Sequence, residues 1–276
     1  MQILDGKTLS QKILNDLSLE IGNLGIKPTL DIIIVGNDPS SQKYVALKQE
    51  KAQSIGIGGN VHQLDESSTT EDIISLISKL NNDDSVTAFM VQLPLPSQID
   101  TEKILANINP KKDADGLSPF NLGLLFQKES TGIASATACG IMKLLEEYKI
   151  DISGKNTVII GRSSEVSIPL FALLLGKNAT VTICHSLTKN LKDICQKADI
   201  LISAIGKPKF LNKEFIKEGA VIVDVGFGTD SNGQVSGDFD FNEVSPLASF
   251  ITPVPGGVGP MTIASLLFNT VQIAKK

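Results

Sequence analysis

The feature that most restricts this chain is a repeated alternation. Short β-branched and aliphatic runs recur along it, with helix-period segments between them. Leu30–Val35, Val86–Val91, Thr157–Ile160, Thr180–Cys184, Ile200–Ala204, Val221–Val225 and Phe250–Thr252 read as strands. They are near-continuous apolar runs rather than in-out alternations, as expected of parallel strands covered on both faces. Ser41–Ile55, Thr70–Leu80, Ile141–Tyr148, Ile168–Leu175 and Leu191–Lys197 carry helical periodicity between them. Alternation of this kind predicts an α/β fold with right-handed crossovers.

At 276 residues the chain exceeds the usual span of one domain, about 100–200 residues. The Gly/Ser/Thr/Ala stretch Ser135–Gly140 is the expected boundary. Residues 1–137 are predicted to form one α/β domain and residues 138–252 a second, Rossmann-like doubly wound domain. Pro253-Val-Pro-Gly-Gly-Val-Gly-Pro260 reads as a rigid loop before a last apolar helix, Met261–Ile273, with Pro260 suited to its first turn. Residues 253–276 are expected to return to the first domain, leaving a cleft between the two.

Charge and composition remove several function classes. A net charge of −5 lacks the basic footprint of a nucleic-acid binder. No apolar run reaches the roughly 18–20 residues that span a bilayer, and the opening residues lack a basic region followed by an apolar core, so no signal peptide is expected. Cys139, Cys184 and Cys195 have neither disulfide nor metal-ligand spacing, so no metal is expected and the cytoplasm is the predicted compartment.

The unusual residues cluster just after the strands, where open α/β sheets bind small molecules. Thr157–Ile160 runs into Gly161-Arg162-Ser163 and then a helix, the position of a dinucleotide phosphate loop that retains one glycine of the usual three. The strand Thr180–Cys184 leads into His185-Ser186, with no carboxylate between Ala179 and Leu191 to take a ribose 2′-hydroxyl. Arg162 and Ser186 can instead meet a 2′-phosphate, so NADP is favoured over NAD.

Chemistry of another kind follows the first strand. Ser41, Tyr44 and Lys48 fall within about 60° of one another on a helix. The spacing fits a half-buried tyrosine beside a snorkelling lysine. It equally fits an acid/base lysine whose pKa falls on desolvation. Gln92 precedes the rigid Leu93-Pro94-Leu95-Pro96. Asp113 and Asp115 are either a solvated acidic turn or a carboxylate grip for an amino-pyrimidine edge.

Together these segments resemble the bifunctional methylenetetrahydrofolate dehydrogenase/cyclohydrolase family, from roughly Met1 to Gln272. The matching pieces are Tyr44-Val-Ala-Leu-Lys48 with Lys51-Ala52, Val91-Gln-Leu-Pro-Leu-Pro96, Lys112-Asp-Ala-Asp-Gly116, Gly161-Arg-Ser163, Cys184-His-Ser186 and Pro255-Gly-Gly-Val-Gly-Pro-Met-Thr262. The resemblance implies NADP-dependent oxidation of 5,10-methylenetetrahydrofolate, hydrolysis of the methenyl product to 10-formyltetrahydrofolate, and a homodimer joined through the nucleotide domains. It makes Lys48 the acid/base of hydrolysis, with Tyr44 stacking on the folate, Gln92 orienting Lys48 and Asp115 holding the pterin. Val91 and Leu93 would line the folate site. Gly161, Arg162, Ser163, Ser186 and Phe227 would carry NADP. Pro255, Gly256, Gly257, Val258, Gly259, Pro260 and Thr262 would line the space between nicotinamide and folate.

Three departures from the family pattern stand out. Ser167 replaces a glycine and is expected to crowd helix packing or the nucleotide. Ser135-Ala136-Thr137-Ala138 replaces a Pro-Cys-Thr-Pro stretch, and Phe227 replaces a smaller aliphatic residue. Two rival readings remain: another two-domain NADP dehydrogenase acting on a small hydroxy acid, and a nucleotide-binding homodimer without catalysis.

Overall fold

The computed structural model describes residues 1–23, 25, 27–127, 132–230 and 233–276. The first half runs β1 (Gln2–Ile3), α1 (Gly6–Asn23), β2 (Leu30–Val35), α2 (Pro39–Ser54), β3 (Val61–Leu64) and α3 (Thr70–Asn82). It continues with β4 (Ala88–Val91), α4 (Thr101–Ala106) and α5 (Pro119–Leu124). The second half runs α6 (Ala136–Glu147), β5 (Asn156–Ile160), α7 (Ser167–Gly176), β6 (Thr180–Cys184), α8 (Leu191–Cys195) and β7 (Ile200–Ser203). Then come β8 (Val221–Asp224), β9 (Gly228–Thr229), β10 (Val235–Ser236), α9 (Phe241–Val244), β11 (Phe250–Ile251) and α10 (Val258–Ala274). Among the described residues no helix is long and apolar enough to cross a membrane.

Two compact units make up the chain: Met1–Gln11 with Thr137–Thr262, and Lys12–Ala136 with Ile263–Lys276. The first holds a six-stranded sheet in the order β1-β11-β8-β7-β5-β6, parallel throughout. Its central strands are the β-branched runs of the sequence, and they are buried because helical connections cover a parallel sheet on both faces. Register pairs Ile160 with both Cys184 and Ser203, and Ser203 with Asp224. The carboxyl ends of β5, β6, β7 and β8 therefore lie in one row, and the segments that leave them emerge side by side.

The sequence assigns Met1–Gln11 and Pro253–Thr262 to the first block, whereas here they belong to the six-stranded unit. Strand β1 adds to the sheet edge, pairing Gln2 with Phe250 and Ile3 with Ile251. The backbone at Gly6 then approaches Gly257 so closely that a Cβ on Gly6 would overlap the Gly257 carbonyl, and Lys7 N donates to Gly256 O at 2.9 Å. A two-residue strand has no periodicity to read, so only this pairing reveals where the terminus goes.

The other unit holds a three-stranded parallel sheet, β3-β2-β4. Every residue of β2 is buried, including Asp31, whose carboxylate meets His62 Nε2 at 2.6 Å and accepts from Asn60 N at 3.2 Å. The His62 partner lies on β3, an edge strand whose half-exposed Val-His-Gln-Leu carries no apolar run and so escapes sequence reading. Ile263, Ala264, Leu266, Leu267 and Val271 of α10 pack with Ile32 and Ile34 in one core. Ile33 pairs with Val91, so β2 and β4 end together and deliver α2 and Gln92 from the same edge.

Candidate active site

Helix α2 starts where Asp38 accepts from Ser41 N at 2.7 Å and Pro39 opens the first turn, two standard N-terminal devices. Its buried face is Ser41, Val45, Lys48 and Ala52, a spacing of four, three and four. A lysine thus occupies a position where an apolar residue is expected. Lys48 is only 4% exposed. Its Nζ donates to Gln92 Oε1 at 2.9 Å, lies 3.5 Å from Met90 Sδ, and sits 4.7 Å from the centre of the Tyr44 ring. Burial of this depth excludes the snorkelling arrangement.

Burial pushes the Lys48 amine below its ordinary pKa, because an ammonium loses hydration that its surroundings do not replace; the negative charge of Asp115 opposes the shift. Gln92 controls the direction of the amine. Its Nε2 donates to Leu93 O at 2.5 Å, which turns Oε1 toward Lys48. One lysine N–H is thereby engaged, while a neutral amine keeps its lone pair for a proton. Val91 is buried in the core with Ile33 and Phe89, immediately before Gln92. Leu93 is half-buried and precedes the cis bond to Pro94.

The two aspartates of the 112–116 turn separate into different roles. Asp113 is buried and accepts from Leu117 N at 3.2 Å, Ser118 N at 2.8 Å and Asn121 Nδ2 at 2.9 Å, so it shapes the turn. Asp115 is half-buried and acts electrostatically on Lys48. Tyr44, Lys48, Gln92 and Asp115 therefore form one constellation, supplied by a helix, a strand end and a loop.

In the six-stranded unit, Gly161 ends β5 with φ +131°, and its N–H donates to Cys184 O at 2.9 Å. A Cβ there would stand 2.8 Å from both Ala204 O and Ser167 Oγ, so only glycine threads between β7 and α7. Arg162 and Ser163 are exposed beyond it. Ser163 Oγ accepts from Val166 N at 3.2 Å and its carbonyl accepts from Ile168 N at 3.0 Å, which organises the start of α7. Ser186 is exposed in a turn that His185 and Thr188 close through a 2.8 Å bond. Phe227, 67% exposed, follows β8. Ser167 faces inward: it is fully buried and its hydroxyl has no hydrogen-bond partner among the described residues. The expected crowding falls on the turn beneath Gly161 rather than on open space.

Pro255 follows a cis bond, and Gly257 is buried where a Cβ would stand 2.6 Å from Pro253 O. Gly256 and Pro260 are half-buried, Val258 is buried, Gly259 is exposed, and Thr262 Oγ1 lies 3.2 Å from Thr137 Oγ1. Sequence reading missed a carboxylate pair in this unit. Asp238 accepts from Ser203 Oγ at 2.7 Å, Ile205 N at 2.9 Å and Lys207 N at 2.7 Å, fixing the segment after β7. Asp224 accepts from Gly226 N, Asp238 N and Phe239 N at 2.9–3.0 Å, fixing the segment after β8. Burial, reinforced by the charge of Asp238, pushes the Asp224 carboxyl up to about 7. The two aspartates are 14 residues apart on different segments, so no local spacing marks them as a pair. Among the described residues no cluster of His, Cys, Asp and Glu is able to hold a metal ion.

Comparison with known proteins matches both halves of the chain. Residues 4–115 match the catalytic domain of tetrahydrofolate dehydrogenase/cyclohydrolase, and residues 135–276 match its NAD(P)-binding domain. The bifunctional protein FolD of Campylobacter concisus is 48% identical, covering 100% of this chain and 98% of that protein. The crystal structure of the bifunctional enzyme FolD from Campylobacter jejuni has a TM-score of 0.97 at 46% identity, covering 100% and 99% of the two chains. The Trypanosoma brucei methylenetetrahydrofolate dehydrogenase-cyclohydrolase, solved with NADP cofactor and inhibitor, has a TM-score of 0.93 at 36% identity, covering 99% and 97%. A shikimate dehydrogenase from Thermus thermophilus shares the fold alone, at 14% identity and a TM-score of 0.56 over 89% of this chain and 98% of that one.

Proposed function

The chain belongs to the tetrahydrofolate dehydrogenase/cyclohydrolase family, and we propose that it performs both reactions of that name at one site. It oxidises 5,10-methylenetetrahydrofolate to the methenyl cation with NADP, then hydrolyses the cation to 10-formyltetrahydrofolate. The observation that carries the reading is the buried Lys48, bonded to Gln92 and set against the Tyr44 ring. Hydrolysis needs a proton acceptor beside a planar, cationic substrate, and a desolvated amine next to an aromatic face suits that need.

NADP supplies the hydride acceptor when bound. The turn from Gly161 into α7 is assigned to its pyrophosphate, because that helix starts without a side-chain cap and the N–H groups of a first turn favour an anion. Arg162 and Ser186 are assigned to the 2′-phosphate, Ser163 to the phosphates, and Phe227 to the rim of the cofactor site. In the folate half, Tyr44 stacks on the substrate and Asp115 grips the amino-pyrimidine edge through paired hydrogen bonds. Leu93 is assigned to the folate, and the segment from Pro255 to Thr262 to the nicotinamide side of the reaction.

In the hydrolytic step Lys48 takes a proton from the water that attacks the cationic carbon. The neutral adduct then breaks one of its two carbon–nitrogen bonds, its hydroxyl proton passing to the departing nitrogen. Lys48 returns its own proton to solvent, which balances the charge of the starting cation. Gln92 holds the amine in line throughout. A homodimer joined through the six-stranded units and a cytoplasmic location belong to the same proposal.

The test is direct assay of the purified protein with methylenetetrahydrofolate and NADP, following methenyl absorbance as it appears and then decays. Turnover of both species is expected. Turnover of neither, with oxidation of a small hydroxy acid instead, would replace this reading with the rival dehydrogenase.

A further inference from the structure

The Asp115 loop is held from a distant part of the chain. Asn269 lies on α10, 155 residues beyond Ala114, and is 5% exposed. Its Nδ2 donates to Ala114 O and to Ala134 O, both at 3.0 Å, so both amide protons are spent on two loop carbonyls. The Ala114 carbonyl belongs to the peptide plane that leads into Asp115. The plane that leaves Asp115 is fixed too, since Asp115 O accepts from Ala136 N at 3.2 Å. Ala114 N also donates to Phe89 O at 3.2 Å, which ties the same residue to β4. With both flanking planes set, the direction in which the Asp115 side chain leaves the backbone is set as well.

We propose that Asn269 is a positioning residue for both reactions, acting through the Ala114 and Ala134 carbonyls to aim Asp115 at the folate and at Lys48. The proposal rests on the assignment of Asp115 and Lys48 made above. An apolar residue of similar size would fill the same volume, yet it would leave the buried Ala114 carbonyl and the partly buried Ala134 carbonyl without this donor and let the peptide plane rotate. The charged or polar groups facing Lys48 are Asp115, Gln92 and the Tyr44 ring, and of these only Asp115 brings a negative charge that stabilises the ammonium. Displacing Asp115 therefore lowers the pH at which Lys48 gives up its proton.

The experiment is a double-mutant cycle with Asn269→Ala, Asp115→Asn and the pair, read by kcat/KM and by the acid limb of the cyclohydrolase pH profile. Asn269→Ala is expected to lower kcat/KM for methenyltetrahydrofolate at least fivefold, mainly through KM, and to move the acid limb to lower pH. Asp115→Asn should move the limb the same way, and adding Asn269→Ala to it should change little further. Asn269→Ser, whose hydroxyl reaches one carbonyl at most, is taken through the same cycle so that a poorly folding alanine variant does not decide the matter. Losses that are equal in both backgrounds, or an unmoved limb in folded Asn269 variants, overturn the positioning role. An unmoved limb and unchanged KM in Asp115→Asn itself would instead overturn the assignment of Asp115.

Discussion

Replacing Lys48 with methionine is expected to separate the two activities. The substitution keeps much of the stem volume in a pocket where the residue is 4% exposed, and it removes the proton carrier. Two effects on stability oppose each other. Gln92 Oε1 loses the donor now 2.9 Å away, and a buried acceptor left unpaired costs about 1–3 kcal/mol. Against this, the chain no longer desolvates an amine whose pKa burial already depresses. The net change should stay within about 2 kcal/mol, small enough for the variant to fold, with circular dichroism and thermal melting as the check. Positioned acid/base groups contribute roughly 10²–10⁴-fold to steps of this type, so cyclohydrolase turnover should fall by at least about 100-fold. Hydride transfer depends on orientation and should fall much less. Both rates are measured in parallel on methylene- and methenyltetrahydrofolate. A folded Lys48→Met protein with normal cyclohydrolase turnover would refute the acid/base assignment.

Cofactor choice follows from Arg162, Ser186 and the absence of Asp or Glu from Cys184 to Asn190. Catalytic efficiency should favour NADP over NAD at least tenfold, about 1.4 kcal/mol, and an equal or reversed preference would remove the 2′-phosphate assignment. Ser167→Ala deletes an unpartnered buried hydroxyl while keeping Cβ, so it should raise the unfolding free energy by on the order of 1 kcal/mol, with a higher melting temperature, and leave the Michaelis constant for folate unchanged. A destabilised Ser167→Ala protein would show that the hydroxyl has a partner in solution. Asp224 keeps its proton to about pH 7 when folded but only to 3.8 when unfolded. The folded chain therefore binds more protons between those values, and stability from this group falls as pH rises from about 4 to 7. The full span corresponds to about 4 kcal/mol, an upper bound for a decline of a few kcal/mol. The carboxylates held below their ordinary pKa, Asp38 and Asp72 among them, act at pH lower than this window. Melting of the wild type and Asp224→Asn across pH 4–8 should show the decline only in the wild type.

What the sequence determined by itself is what short-range physics writes into it. Continuous apolar runs have one good solution, a covered parallel strand: Leu30–Val35 appears as the fully buried β2, while Thr180–Cys184 forms the parallel strand β6 at the sheet edge, half-exposed over most of its length. The capped, helix-period segment after β2 placed Tyr44 and Lys48 on neighbouring positions of one helix, and the spacing of six segments along the chain gave the family. The sequence left the state of Lys48 undecided, because a snorkelling and a buried lysine have the same letter and the same spacing. Only the convergence of β4 and α2 at one sheet edge closed Met90, Gln92 and Tyr44 around the amine and removed its water. Asp113 and Asp115 are likewise indistinguishable by composition, and the tertiary fold turned one into a clamp on the loop and left the other half-buried, with its charge acting on Lys48. Ser167, expected to crowd either helix packing or the nucleotide, is buried under Gly161, because it is the first residue of α7 and falls on its buried face. The Asp224–Asp238 pair and the reach of Asn269 to Ala114 join residues 14 and 155 positions apart. Contacts over such separations depend on how strands and helices stack, which no local pattern of residues encodes.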